Sequence, residues 1–141
     1  MRYRVVAVGR MKDAALRTAC DQYLDRLRHY AKVEEREVKD EARILGAIPG
    51  ASRLVALSRR GETCSSRELA DWTGRWEMDG RDVVCAIGGA DALPNEVLGR
   101  ADLVWSLSPL TLPHELARLV LYEQLYRAYT IRRGEPYHRG P

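Results

Sequence analysis

Trp105-Ser-Leu-Ser-Pro-Leu-Thr-Leu-Pro-His114 decides how this chain is read. It joins an apolar run, Asp102–Ser106, which reads as the last strand, to a long helix opening near Pro113. Pro109 and Pro113 each fix φ and remove a backbone donor. Leu107, Leu110 and Leu112 are interleaved with Ser108 and Thr111. A solvated linker would not carry that much apolar area, and a core strand would not carry two prolines. The stretch is therefore a stiff, apolar-walled loop with free amides and hydroxyls at the carboxyl end of a strand. In open α/β sheets ligands bind there. A buried connector that merely caps a helix is the plain alternative.

Outward from this loop the chain alternates strand and helix. Arg2–Val8 alternates charged and apolar residues and then turns apolar, as a strand does. Leu16, Ala19, Cys20, Tyr23, Leu24 and Leu27 recur at helical spacing, so a helix runs from about Asp13, its N-cap, to about His29. Val33–Lys39 is strand-like but weakly apolar and belongs at a sheet edge. Asp40–Ala47 reads as a short helix ended by Pro49-Gly50. Arg53–Leu57 is a buried strand followed by a polar turn, Ser58–Gly61. Ser65 and Glu68 form a capping box for a helix with Leu69, Trp72 and Trp76 on one face, stopped at Asp79-Gly80. Asp82–Ile87 is a buried strand followed by Gly88-Gly89, and Pro94–Arg100 is a short helix with proline in its first turn. The last helix, about His114 to Ile131, is apolar nearly all round. It needs a second buried face beyond the sheet, and another subunit is the natural cover. This order means α/β with a mostly parallel sheet.

The 141 residues suit one domain, 1–141. No apolar run reaches the roughly 18 residues of a membrane span, and the N-terminus is no signal peptide, so the chain is expected to be cytoplasmic. Cys20, Cys64 and Cys85 show no metal spacing and suit reduced thiols. Net charge is only +3, yet three lysines among 23 basic residues leave 20 arginines. Arginine suits forked contacts to phosphate, but such a balance neither demands nor excludes nucleic acid.

Three loops follow the strands at Arg53–Leu57, Asp82–Ile87 and Asp102–Ser106. If these strands are neighbours, Leu57, Gly88-Gly89 and Ser108–Pro113 meet on one rim. Two glycines after a buried strand let a backbone approach a ligand closely, though alone they are more often just a turn. His114 opens the long helix, where it could bond a ligand or help cap. His29 reads as solvated. Tyr137-His-Arg139 lies in a polar, breaker-rich tail that composition alone marks as disordered. Glu123 and Arg127 pair at i+4. No carboxylate pair, no Ser/His/Asp set and no metal-ligand pattern stands out.

Motifs along nearly the whole chain resemble the bacterial RlmH family of SPOUT-class methyltransferases: Val6-Ala-Val-Gly9, Trp76-x-x-Asp79-Gly-Arg-Asp82, Ile87-Gly-Gly89, Trp105-Ser-Leu-Ser-x-Leu-Thr-Leu-Pro-His114, Glu123-x-Leu-Tyr-Arg-Ala128 and Pro136-Tyr-His-Arg139. The proline loop and the ending are the specific ones. The resemblance implies an α/β-knot with a C-terminal trefoil knot. It also implies S-adenosylmethionine held by Leu57, Gly89 and the loop Ser108, Pro109, Leu110, Thr111, Leu112 and Pro113. The substrate it implies is N3 of a pseudouridine in 23S rRNA, methylated by a homodimer on the assembled ribosome, without metal or membrane. His138 is then the candidate base, because an imidazole titrates near working pH, with Tyr137 and Arg139 as positioning partners. Arg132, Arg133 and His114 are candidates for substrate binding, and the tail is expected to reach across the dimer toward the partner's cofactor. Another SPOUT RNA methyltransferase and a non-catalytic ribosome-binding factor are the alternatives. The chain departs from the family at Ala90-Asp-Ala92, in the short segment between Lys39 and Ser52, and at Pro109, which stiffens the loop.

Overall fold

A computed structural model describes residues 1–141. The elements are β1 (Arg2–Val8), α1 (Ala14–Leu27), β2 (Lys32–Val38), β3 (Arg53–Glu62), α2 (Ser66–Asp79), β4 (Val83–Ile87), α3 (Asn95–Arg100), β5 (Leu103–Trp105) and α4 (His114–Arg132). Five strands form one sheet in the order β2-β1-β4-β3-β5, and every neighbouring pair is parallel. No helix is long and apolar enough to cross a membrane.

Strand periodicity builds two cores, because successive side chains point to opposite faces. Tyr3, Val5, Val55, Val83, Cys85 and Ile87 enter the larger core, with Leu24 and Leu27 of α1, Leu69 and Trp76 of α2, and Leu121 and Leu125 of α4. Val6, Leu54, Ala56, Val84 and Ala86 enter the smaller one, with Ile44, Leu93 and Val97. β4 is buried at every position, as a strand covered on both faces must be. Burying each of these leucines contributes about 1.5–3 kcal/mol.

Local signals act as their chemistry dictates. Asp13 accepts from the Leu16 amide, both bonds of the Ser65–Glu68 capping box form, and Gly80 ends α2 in the left-handed region at φ 81°. β2 is an edge strand. Two expectations fail. Asp40–Ala47 is not one helix but two 3-10 turns, Glu41–Arg43 and Leu45–Ala47, because only Ile44 of this stretch is buried and nothing anchors a longer helix. Ser58–Gly61 is not a turn. β3 runs through it, and after a register break Glu62 as well as Leu57 pairs with Trp105. Polar side chains suggested a turn, but the backbone continues to β5. Gly61 is needed there: a Cβ would lie 2.6 Å from the Val104 carbonyl oxygen.

The chain crosses itself beside that extension. β5 lies at the sheet edge beyond β3, yet α4 packs against both α1 and α2, lying between them. The link Ser106–Pro113 therefore crosses the connection from β3 to α2. Ser106 is bonded to that connection, its amide donating to the Glu62 carbonyl at 2.8 Å and its hydroxyl to the Arg59 carbonyl at 3.1 Å. Ordinary connections avoid such threading; a trefoil knot requires it.

Candidate functional site

Strand order brings the three loops together. β4, β3 and β5 are adjacent, with Ala56 opposite Ala86 and Leu57 opposite Trp105. Leu57, mid-strand in β3 but level with the ends of β4 and β5, thus lies beside Gly88-Gly89 and Ser106–Pro113. Leu57, Gly89, Ser108 and Leu112 are half-buried; Pro109, Leu110, Thr111 and Pro113 are exposed. Leu110 is 72% exposed, one of only three large apolar side chains left open to solvent.

The loop is held at its ends and free in its middle. Leu107 packs against the larger core. The Ser108 hydroxyl oxygen accepts from the Leu110 amide at 3.0 Å, a local turn that serine favours. The amides of Leu107, Ser108, Thr111 and Leu112 have no partner in the chain. Apolar side chains beside unpaired amides suit a flat heteroaromatic ring whose edge needs hydrogen bonds, so these residues fit the adenine of a nucleoside cofactor. Gly89 closes the rim tightly: a Cβ there would meet Glu41 Oε1 at 2.9 Å and Val8 Cβ at 3.0 Å. His114, half-buried on the first turn of α4, makes no hydrogen bond.

The tail lies elsewhere. It is not a free end but folds back along α4. The Tyr137 hydroxyl donates to Glu123 Oε2 at 2.7 Å, His138 Nδ1 lies 3.0 Å from an Arg127 guanidinium nitrogen, and Arg127 stacks on the Tyr137 ring at 4.7 Å. Burial, with the bonds to Tyr23 and Glu123, raises the Tyr137 phenol well above its ordinary value, so it stays a donor. Arg127 and Glu123 form the expected i+4 pair at 2.8 Å. These anchors sit nine and thirteen residues past His114, about 13 and 20 Å along the helix. Within one chain the structure therefore does not bring Tyr137, His138 and Arg139 to the rim. Arg132 and Arg133 are more distant still. Arg132 pairs with Glu77 at 2.7 Å, and Arg133 stacks on Tyr30 at 4.9 Å.

Four further residues, Arg118, Glu35, Glu37 and Glu115, went unnoticed in the sequence. Arg118 is 2% exposed and reaches Glu35 at 3.1 Å and Glu37 at 3.0 Å on β2. Burial opposes ionisation of Glu35, but hydrogen bonds from Tyr122, Arg118 and Arg17 outweigh it and hold the carboxyl below its usual value. This network clamps the first half of α4, and with it the exit of the proline loop, to β2. Glu115 adds a second clamp, accepting from the Lys12 and Asp13 amides at 3.0 Å. The signal was present: an arginine on the stripe of Leu121, Tyr122 and Leu125 needs an acid, and Glu35 and Glu37 share a strand face with buried Val33. The thiols offer no competing chemistry. Burial pushes Cys20 and Cys64 up to about 11 and Cys85 up to about 12, away from the thiolate a nucleophile needs.

Comparison with known proteins agrees with this geometry. The family model described as "Predicted SPOUT methyltransferase" matches residues 1–138. The "Ribosomal RNA large subunit methyltransferase H" of Sorangium cellulosum (strain So ce56) is 48% identical, over 97% of this chain and 99% of that protein. Among solved structures, a probable methylase family protein from Haemophilus influenzae Rd KW20 matches with TM-score 0.62 and 12% identity, over 98% of this chain and 70% of that one. A Legionella pneumophila protein solved "in complex with the bound cofactor SAM" matches with TM-score 0.51 and 12% identity, over 91% of this chain and 66% of that one. At such identity these structures speak for the fold alone. The parallel sheet with its threaded loop, the full-length family match and the relative nearly half identical make one conclusion: the chain belongs to the SPOUT methyltransferases, in the group of the ribosomal RNA large subunit methyltransferase H proteins.

Proposed function

We propose that the chain transfers the methyl group of S-adenosylmethionine to N3 of a pseudouridine in 23S rRNA of the assembled ribosome, acting in the cytoplasm as a homodimer. The family and the rim support the methyl donor: Leu57, Gly89 and Ser108–Pro113 offer apolar walls and free amides. Prolines at 109 and 113 hold that slot preformed, so little ordering is lost on binding. When bound, the cofactor supplies a methyl already activated by its sulfonium.

The remaining work falls to side chains. Leu110 and Leu112 exclude water from the slot. His138 takes the N3 proton of the base. Tyr137 and Arg139 orient the base and an adjacent phosphate, so that N3 lies in line with the methyl. His114, at the rim, and Arg132 and Arg133 contact the RNA. One observation carries the dimer: the tail sits about 13–20 Å from its own rim, so a second copy is what would supply it. The half-buried side of α4 with Leu116 and Val120 is the face for that copy.

The test is methyl transfer from labelled cofactor to ribosomes of a strain lacking the modification, with and without prior pseudouridylation. Methylation of the pseudouridylated ribosomes alone is expected. Equal methylation of both, or of neither, would overturn the proposal.

A further inference from the structure

A second charged feature lies beside the rim, on the outer strand. Arg36 and Val38 point to the sheet face away from α1, and the 3-10 turns pack below them. Arg36, Lys39 and Arg43 surround an open notch of about 340 Å³ floored by Gly46 and Ala47. All three cations are exposed. Arg36 and Lys39 make no ion pair or side-chain hydrogen bond, and Arg43 has only a loose contact, 3.6 Å, with Asp40. Glu37, the acid lining the notch, is already engaged by Arg118 at 3.0 Å. Three positive groups thus line one notch, with two acids beside them, Asp40 at 3.6 Å from Arg43 and Glu41 on the same 3-10 turn. Gly46 and Ala47 at the floor leave room for a group that brings its own oxygens.

The notch opens at the same end of the sheet as the rim. Arg43 shares a 3-10 turn with Glu41, whose carboxylate lies against Gly89. The two are one short turn apart, about 4 Å of rise. A ligand seated in the notch is therefore on the Gly89 side of the rim, with the proline loop farther across the sheet. A polyanion with regularly spaced phosphates can occupy both places at once, and arginine forks suit its oxygens.

We infer that the Arg36–Lys39–Arg43 notch binds a backbone phosphate of the substrate RNA, holding the strand that enters the rim. This rests on RNA being the substrate. Cosedimentation with ribosomes, and with protein-free ribosomal RNA, at several salt concentrations tests it on the double variant Arg36→Ala/Arg43→Ala. The control, Arg2→Ala/Lys32→Ala, removes the same charge at the opposite end of the sheet, from the starts of β1 and β2. The notch variant should lose about tenfold in affinity on both substrates and flatten the salt slope by about one to two, with cofactor affinity unchanged by calorimetry. The control should lose less than about twofold. Unchanged binding, an equal loss in the control, or a loss on ribosomes but not on bare RNA overturns the inference; the last points to an acidic protein surface instead. Wild-type protein that binds the RNA yet never methylates it refutes the catalytic proposal and leaves the notch standing.

Discussion

Replacing Arg118 by methionine isolates the clamp that sets the start of α4. Arg118 is 2% exposed and holds two carboxylates, Glu35 and Glu37, at 3.1 and 3.0 Å. Breaking a buried pair from one side costs about 3–5 kcal/mol, because the other charge is left uncompensated. Here the loss is smaller. Glu35 keeps Arg17 and Tyr122, and the two acids are 21% and 33% exposed. Methionine fills most of the stem volume, so about 2–3 kcal/mol remains, which urea unfolding at pH 7 measures and which lowers the melting temperature by about 8 °C in a domain this size. The sign of the pH dependence follows from Glu35, whose folded value lies below the usual 4.5. Its pairing stabilises fully above 4.5 and is lost as pH falls through the folded value. The gap between wild type and variant should therefore narrow below about pH 4.5. Adding Glu35→Gln and Glu37→Gln should recover part of the loss, since no buried charge then lacks a partner. A loss under about 1 kcal/mol, or a gap that stays constant from pH 7 to pH 4, would refute the clamp.

Three other outcomes follow from the rim and the tail. Gly89→Ala puts a methyl 2.9 Å from Glu41 Oε1 and 3.0 Å from Val8 Cβ; it should cost about 1–2 kcal/mol and weaken cofactor binding about tenfold by calorimetry, and undiminished affinity would show that Gly89 does not shape the slot. His138→Ala should lower kcat at least about 100-fold while cofactor affinity holds; a wild-type rate on ribosomes would remove His138 as the base. Mixing a His138→Ala chain with a Gly89→Arg chain should restore activity that neither homodimer has, because one intact tail then meets one intact rim across the dimer; silence of the mixture would refute a site shared across the dimer.

In the proposed reading the cationic notch and the rim divide the work between them. The rim, apolar and stiffened by two prolines, would hold one small molecule in one pose. The notch, open and charged, would retain a chain whose phosphates repeat. A protein of 141 residues with net charge +3 has no charge to spare for general RNA affinity. Placing Arg36, Lys39 and Arg43 together at the notch would put what it has where register matters.

What could be read directly from the residues was local. Asp13, the Ser65–Glu68 box and Gly80 mark helix ends because a cap bond or a positive φ involves neighbours a few residues apart. The buried strands showed themselves as apolar runs, and the paired prolines marked the loop because they constrain their own backbone. Tertiary structure decided what depends on partners far along the chain. Strand order made β3, β4 and β5 neighbours and so turned three separate loops into one rim. The 58–62 stretch became strand because β5 offered it carbonyls and amides that no local pattern announces. Arg118 found its acids 81 and 83 residues away, and the tail settled on Glu123 and Arg127 of its own α4. Hydrogen bonds and φ restrictions act between neighbours and leave a mark in sequence; charge pairing, strand adjacency and threading are chosen only when the chain closes on itself.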